Sequence, residues 1–279
     1  MTARRPLLLC AHLELTLALR SRWTQIFAVV FAALALAVAG SGYVLSGGSG
    51  VQDFARTAVS LVQLVVLLVP LTALVIGVLA LASERGAAEL LFSQPVPRHT
   101  ILLGRMLGLF QALAAAQALG FGAAGLVVFS QSGEEGLSGY LALVASSMLL
   151  TAISLGLAAA LAAGAVGRRR ARALALALVV WFVAVVLFDV AALGLASLLP
   201  SGAASRVLIV SALVNPVGAV RTGALLVIEG TAAFGAASLA LLRFTHGPLG
   251  AAVLIGLSVV FWILAPTLLA IARLRRVDV

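Results

Sequence analysis

The sequence predicts an all-helical (all-α) polytopic membrane protein with six transmembrane helices. Of its 279 residues, 63% are hydrophobic and 10% are charged, whereas soluble domains are typically about 45–50% apolar and about 25% charged. Six apolar runs have the length of roughly 20 residues that a helix needs to cross a bilayer. The strand-like alternation of an outer-membrane barrel does not recur. We therefore expect a single membrane domain over residues 1–279.

The first predicted element is an amphipathic helix over residues 7–23, which lies in the membrane interface before the first span. Its apolar face consists of Leu8, Leu15 and Leu19, with Ala11 and His12 beside them. Its polar residues are Glu14, Arg20 and Arg22, and Trp23 lies at the membrane boundary.

The six spans are predicted at about 24–46, 57–82, 106–129, 138–165, 171–199 and 250–272. Ala37-Val38-Ala39 imitates the cleavage site of a signal peptide. The first apolar run, however, begins only near Thr24, behind a long helix-compatible segment, which makes a poor n-region. We therefore expect this run to be retained as the first span.

The arginines indicate the orientation of the chain. All 18 basic residues are arginine, and a cytoplasmic N-terminus places 14 of them inside and 4 outside. Such an excess inside follows the positive-inside rule, so both termini are predicted in the cytoplasm of a bacterial inner membrane, and the positive charge is not taken as a sign of nucleic-acid binding. The outer four are Arg56, Arg206, Arg221 and Arg243.

The region from 200 to 249 contains two apolar stretches that are too short to span. Asn215-Pro216 interrupts the first, and Glu229-Gly230 ends the second. We expect short helices that lie on or dip into the outer membrane face. A re-entrant hairpin or one extra span is the alternative, although an odd number of spans would move Arg273, Arg275 and Arg276 to the wrong side.

A charged helix is predicted between spans two and three, over Ser83–Arg98. Ser83 can cap its start, Glu84 suits the positive end of the helix dipole, and Pro95 helps to end it. A helix held in the cytoplasm by two spans is typical of a docking element for a soluble partner; the alternative is an interfacial helix that caps the bundle. The docking residues are Glu84, Arg85, Gly86, Glu89, Leu90, Leu91, Pro95 and Arg98.

Small and amide side chains within the spans predict helix packing. Gly120-Phe121-Gly122-Ala123-Ala124-Gly125 has the spacing of a dinucleotide-binding loop, but it lies inside a span with no strand before it. We interpret it, together with Gly104 and Gly108, as a surface for close helix contact. Gln63, Gln111 and Gln117 are expected to form hydrogen bonds between helices.

Several segments carry a common resemblance and occur in order along nearly the whole chain. They are His12–Leu15, Leu19–Trp23, Ser83–Gly86, Leu90–Pro95 with Arg98, Ile101–Arg105, Trp181–Val183, Val186–Asp189, and Val214–Pro216 with Arg221. With the predicted topology, they resemble the ABC-transporter permeases of the export class and, within it, the permease of the nitrous oxide reductase maturation system. One departure is Gly86-Ala87-Ala88, where the family usually has Gly-Thr-Leu.

The resemblance implies a homodimeric permease with two cytoplasmic ATPase subunits and a periplasmic copper-handling partner. Together they would assist assembly of the copper centre of nitrous oxide reductase. The chain has no lysine and no phosphate-binding loop, so ATP and Mg²⁺ are expected in the ATPase, and this chain is expected to be neither an enzyme nor a cofactor-binding protein. Alternatives are an exporter of a drug, lipid or glycan, and a stand-alone channel or scaffold.

Copper prefers soft ligands, and the sequence offers few of them. The candidates are Cys10, Met1, Met106, Met148, His12, His99 and His246, and only Met148 is predicted well inside a span. We therefore expect that the chain does not itself ligate copper. The residues assigned to a translocation path or outer gate are Asp189, Met148, Asn215 and Arg221; the alternative for Asp189 is a structural contact with Arg206 or Arg221.

Overall fold

The computed structural model describes residues 4–44, 51–82, 96–132, 136–164, 170–228, 242, 244–245 and 247–275. All regular structure in these ranges is helical. The helices are α1 (Arg4–Arg20), α2 (Arg22–Val44), α3 (Val51–Leu81), α4 (Arg98–Ser132), α5 (Leu137–Gly164), α6 (Arg170–Phe182), a π-helical segment (Val183–Leu187), α7 (Phe188–Ser197), α8 (Ser201–Val214), α9 (Pro216–Ile228) and α10 (Pro248–Arg275).

Six spans can be identified among the described helices, which confirms the predicted number. They are Arg22–Ser41, Thr57–Leu81, Arg98–Ser130, Leu137–Gly164, Arg170–Ser197 and Pro248–Arg275. The third span begins at Arg98 rather than near residue 106, because the helix continues past the apolar run into a segment with charged side chains. α6, the π-helical segment and α7 together form the fifth span.

The centre of the bundle is built from α3, α4 and α5, whose most apolar stretches are 50–56% buried, and glycines on α3 and α4 allow neighbouring helices to approach closely. A Cβ atom on Gly77 of α3 would lie 2.7 Å from the Cβ of Ala158 on α5, and one on Gly120 of α4 would lie 2.5 Å from the ring of Phe31 on α2. Lipid offers no hydrophobic drive for helix association, so such close approach is a main source of stability. The prediction of small-residue packing is confirmed for Gly120, whereas Gly122 faces open space.

A polar cluster joins α4 to α5 in the buried core. The Gln117 side chain donates to Thr151 Oγ1 over 2.8 Å and accepts a hydrogen bond from the Ser147 hydroxyl. All three side chains are buried. The predicted interhelical role of Gln117 is therefore confirmed, whereas Gln63 and Gln111 lie on exposed faces of their helices.

Helix α1 packs along the first turns of α4. A Cβ on Gly104 would lie 2.7 Å from the Cβ of Cys10, and one on Gly108 would lie 2.3 Å from the carbonyl oxygen of Ala11. Both glycines therefore provide close helix contact, as predicted. Glu14 of this helix is buried, whereas Leu8 is 60% exposed.

Candidate functional site

Helices α8 and α9 form a hairpin that is bent by 103° at Asn215. The bend lies level with the middle of α10, since the carbonyl oxygen of Val214 accepts a hydrogen bond from Trp262 Nε1 over 3.1 Å. Further along α9, Gly223 packs against Ile255, which is nearer to the start of α10. The chain thus runs toward the middle of α10 and turns back, so the two short helices predicted for this region are present, and together they have the course of a re-entrant hairpin.

Asn215 fixes the bend through both ends of its amide. Its Oδ1 accepts a hydrogen bond from the backbone N–H of Val217 over 3.1 Å, which caps the start of α9. Its Nδ2 donates to the carbonyl oxygen of Ala184 over 2.7 Å. Ala184 lies in the π-helical segment, and such segments are frequent at functional sites. Pro216 follows at the first helical position, where its missing N–H costs nothing.

A two-point ion pair joins the hairpin to the fifth span. The guanidinium of Arg221, on α9, donates from Nη2 to Asp189 Oδ1 over 3.1 Å and from Nη1 to Asp189 Oδ2. The Arg221 and Asp189 side chains are 27% and 31% exposed. Paired contacts of this kind are among the stronger hydrogen bonds in proteins. The structural partner proposed for Asp189 is therefore confirmed as Arg221 and not Arg206.

Asp189, Asn215 and Arg221 thus come together, whereas Met148 is half-buried on α5 and takes no part in these hydrogen bonds. Beside the three residues, α7 and α8 border an open cavity of about 430 Å³. Its walls are mostly apolar, and Phe188, Leu195 and Val210 line it together with Arg206.

At the opposite end of the bundle, four arginines bind carbonyl groups at or within a turn or so of the ends of neighbouring helices. At the end of α3, Arg105 donates to Ala80 O over 2.5 Å and Arg170 donates to Leu79 O. Arg98 donates to Leu274 O of α10 over 3.0 Å. Arg273 donates to Ala160 O of α5 over 2.9 Å. Helix C-termini carry unpaired carbonyls and partial negative charge, so each contact stabilises a helix end. We call these four residues the arginine network.

The arginine network also explains the burial of Glu14. Its carboxylate accepts a hydrogen bond from Arg105 Nε over 2.8 Å, and the two side chains are 6% and 18% exposed. Arg105 was predicted as part of the cytoplasmic positive charge and of the segment Ile101–Arg105 that carries the resemblance, but its pairing with Glu14 was not predicted. A glutamate between apolar residues of α1 (Leu13 and Leu15) and an arginine just inside a span are the signals that, taken together, indicate such a pair.

The residues predicted to dock a partner are described only at their edges. Glu84, Arg85, Gly86, Glu89, Leu90, Leu91 and Pro95 lie outside the described residues. Arg98 begins α4 and belongs to the arginine network. Arg105 holds the start of α4 to the end of α3, so it joins the two helices that flank residues 83–95.

Metal ligands do not gather in the described part of the chain. No group of three or more His, Cys, Asp or Glu side chains there has the arrangement of a metal site. Of the copper-ligand candidates, Met1 and His246 lie outside the described residues.

Comparison with known proteins gives concordant matches. The model of the ABC-2 family transporter proteins matches residues 8–279. A protein of Stutzerimonas stutzeri named "Probable ABC transporter permease protein NosY" is 35% identical over 273 residues, which cover 95% of this chain and 96% of that protein. A protein of the same name from Pseudomonas aeruginosa is 33% identical over 236 residues, which cover 82% of this chain and 85% of that protein.

Proposed function

The chain belongs to the ABC-2 family of transporter proteins, and on that premise we propose that it is the permease of a transporter for nitrous oxide reductase maturation. In this proposal a separate cytoplasmic ATPase supplies the energy, and the copper centre is assembled on the periplasmic side. The support is the 33–35% identity to NosY permeases over most of the chain, together with the resemblance that the sequence itself carries.

The observation that carries the coupling proposal is the arginine network around the two ends of residues 83–95. Arg105 holds the end of α3 to the start of α4, and Arg98 holds the start of α4 to the end of α10. Arg273 then connects α10 to α5. A force applied by an ATPase to residues 83–95 would therefore act on four helix ends together rather than on one loop.

At the other end, the re-entrant hairpin is the part that would meet a periplasmic partner. Its bonds to the fifth span, through Asn215 and through Asp189 with Arg221, make it move with that span. We propose that the permease, as a homodimer, transmits this movement to a copper-handling partner and does not itself ligate the metal.

A complementation experiment tests the proposal. In a strain that lacks this permease, variants Glu84→Arg and Leu90→Ala should be inserted normally but should lose the partner ATPase on purification, and nitrous oxide reductase should lack its copper centre. Arg172→Gln, a charge change on exposed α6, is the matched control. Full copper loading with Glu84→Arg, or without any permease, would refute the proposed function.

The apolar cavity favours a second candidate, the export of a lipid-like or other apolar molecule. Its volume of about 430 Å³ falls in the usual range of about 300–1,000 Å³ for small-molecule sites. Under this reading, Val210→Trp would fill the cavity and abolish export while leaving nitrous oxide reductase fully loaded with copper. Loss of copper loading in that variant would favour the first candidate.

A further inference from the structure

The open cavity between α7 and α8 is an elongated groove. Its outer end lies where residues 198–200 connect the two helices, and its inner end lies beside the hydrogen bond from Asn215 Nδ2 to the carbonyl oxygen of Ala184. The lining residues recur at helical spacing, so each helix forms one wall, and each wall rises by about 10 Å along its helix. The walls are Phe188, Ala191, Ala192 and Leu195 on α7, and Val207, Val210, Ser211 and Val214 on α8.

Arg206 places a positive charge at the outer end of this groove. It is exposed, and its side chain forms no ion pair or hydrogen bond with another residue in the part of the chain that the structure describes. Val214, further along the same helix, is level with the middle of α10, so Arg206 lies up to about 12 Å from that level. Because half of the hydrocarbon core is about 15 Å thick, the long side chain of Arg206 can reach the lipid headgroups.

The groove opens on a surface that the bundle leaves uncovered and that lipid meets in a membrane. Only 11% of the most apolar stretch of the fifth span is buried, and Leu195 and Val210 are 51% and 58% exposed. Ser211 is the other polar residue that lines the groove, and its hydroxyl already donates to Leu208 O over 2.8 Å. A molecule that matches this groove is therefore apolar along its length and negatively charged at its outer end.

The size of the groove favours an acyl chain over a helix from another protein. A helix is about 10–12 Å across, so a 10 Å length of it occupies roughly 800 Å³. The groove has about 430 Å³ and would seat such a helix only in part. A single acyl chain is narrower, and in a phospholipid it carries a negative phosphate at one end, as the position of Arg206 requires.

We propose that this groove binds an anionic phospholipid of the adjoining leaflet, with one acyl chain between α7 and α8 and the phosphate on Arg206. In the predicted orientation this is the outer leaflet. The bound lipid joins α8 to α7 and so supplements the pair of Asp189 with Arg221 in holding the hairpin to the fifth span. Because this lipid is held in place and not exported, the proposal depends on neither of the functions proposed above.

The test measures lipid binding to the full-length protein in a maltoside detergent, without ATPase or ATP. Phosphatidylglycerol is added, bound lipids are counted by native mass spectrometry, and the change in melting temperature is recorded; diacylglycerol is the uncharged control lipid. The variants are Arg206→Gln, which removes the charge, and Val210→Trp, which fills the groove. The matched controls are Arg172→Gln and Val253→Trp, two exposed positions outside the groove.

Phosphatidylglycerol should raise the melting temperature of the wild type, because a ligand that binds the folded state stabilises it. Arg206→Gln should weaken binding about tenfold, the effect of losing one hydrogen bond from a charged group. Val210→Trp should also weaken it, and its melting temperature without lipid shows whether it is folded. Neither control should change the binding.

A photoactivatable phosphatidylglycerol, with a diazirine on its acyl chain, locates the site. It should label peptides from α7 or α8 in the wild type, and this labelling should fall in Val210→Trp. A further variant, Val210→Cys with Cys10→Ser, tests whether a second copy of the chain fills the groove instead. The proposal is overturned if Arg206→Gln binds like wild type, if diacylglycerol binds as well as phosphatidylglycerol, or if Val210→Cys forms a disulfide between two copies.

Discussion

Removing the ion pair between Asp189 and Arg221 should loosen the re-entrant hairpin. Asp189→Asn and Arg221→Gln each remove one charge with little change of shape, and each leaves the other charge behind. Exposed pairs contribute about 0.2–1 kcal/mol, whereas breaking a buried pair costs about 3–5 kcal/mol. With side chains 27% and 31% exposed and two hydrogen bonds, we expect a loss of about 2 kcal/mol for either variant.

The double-mutant cycle isolates this interaction from the effects of the single changes. The double variant should lose less than the sum of the two single losses, because the second change breaks a pair that no longer exists. Unfolding can be followed by tryptophan fluorescence, since Trp262 donates to the carbonyl of Val214 beside the bend. Additivity within about 0.5 kcal/mol would mean that the two residues do not interact, which would refute the reasoning.

Arg206→Gln is the control for this cycle. Arg206 lies on α8 of the same hairpin and lines the cavity beside Phe188, but Asp189 pairs with Arg221. We expect it to change the free energy of unfolding by no more than about 0.5 kcal/mol, as is usual for surface changes. A loss as large as that of Arg221→Gln would show that general positive charge on the hairpin, and not the pair, is what matters.

Three further predictions concern other contacts. Asn215→Ala removes the cap of α9 and the bond to the fifth span, and should lower the free energy of unfolding by about 1–3 kcal/mol in the same fluorescence assay; no change would contradict the bonding described. Gly108→Val should displace α1, because even a Cβ on residue 108 would lie 2.3 Å from the backbone oxygen of Ala11. The single cysteine, Cys10 on α1, should then react faster with a maleimide. An unchanged rate of reaction would mean that α1 stays packed against α4. Gln117→Leu should cost about 0.6–2 kcal/mol by removing the acceptor of the Ser147 hydroxyl, measured as a lower midpoint of unfolding in sodium dodecyl sulfate; Gln111→Leu, on an exposed face, is its control and should have little effect.

The spans could be predicted from the sequence because the bilayer fixes their length and composition. Each apolar run needs no knowledge of its neighbours, so the number of spans was correct, and the spacing of Gly104 and Gly108 was enough to indicate a close contact. The identity of the contacting helix was not accessible, because α1 and α4 meet only after the chain folds.

Polar pairs were harder to predict because their partners are distant in sequence. Glu14 was grouped with the polar residues of its helix, and its partner Arg105, which lies 91 residues away, was not predicted. Asp189 had two possible partners, and the choice depended on which half of the hairpin packs inside: Arg221 lies on α9, whose first residues are buried, whereas Arg206 lies on exposed α8. Only the bend at Asn215 decides that arrangement.

The fifth span links the two ends of the molecule described above. Only 11% of its most apolar stretch is buried, against 56% for the second and fourth spans, so packing holds it weakly within this chain. Its described polar contacts are correspondingly important. Arg170 and Trp181 donate to carbonyls of α3, whereas Ala184 and Asp189 bind the hairpin.

These contacts divide the fifth span into two halves. The half before the π-helical segment is bonded to α3, near the arginine network, and the half from Ala184 onward is bonded to the hairpin. A π-helical segment accommodates an extra residue within a helix, and such segments often mark functional sites. A shift of the end of α3 would act on the first half of this span through Arg170 and Trp181, on α4 through Arg105, and on α5 through the close contact of Gly77 with Ala158.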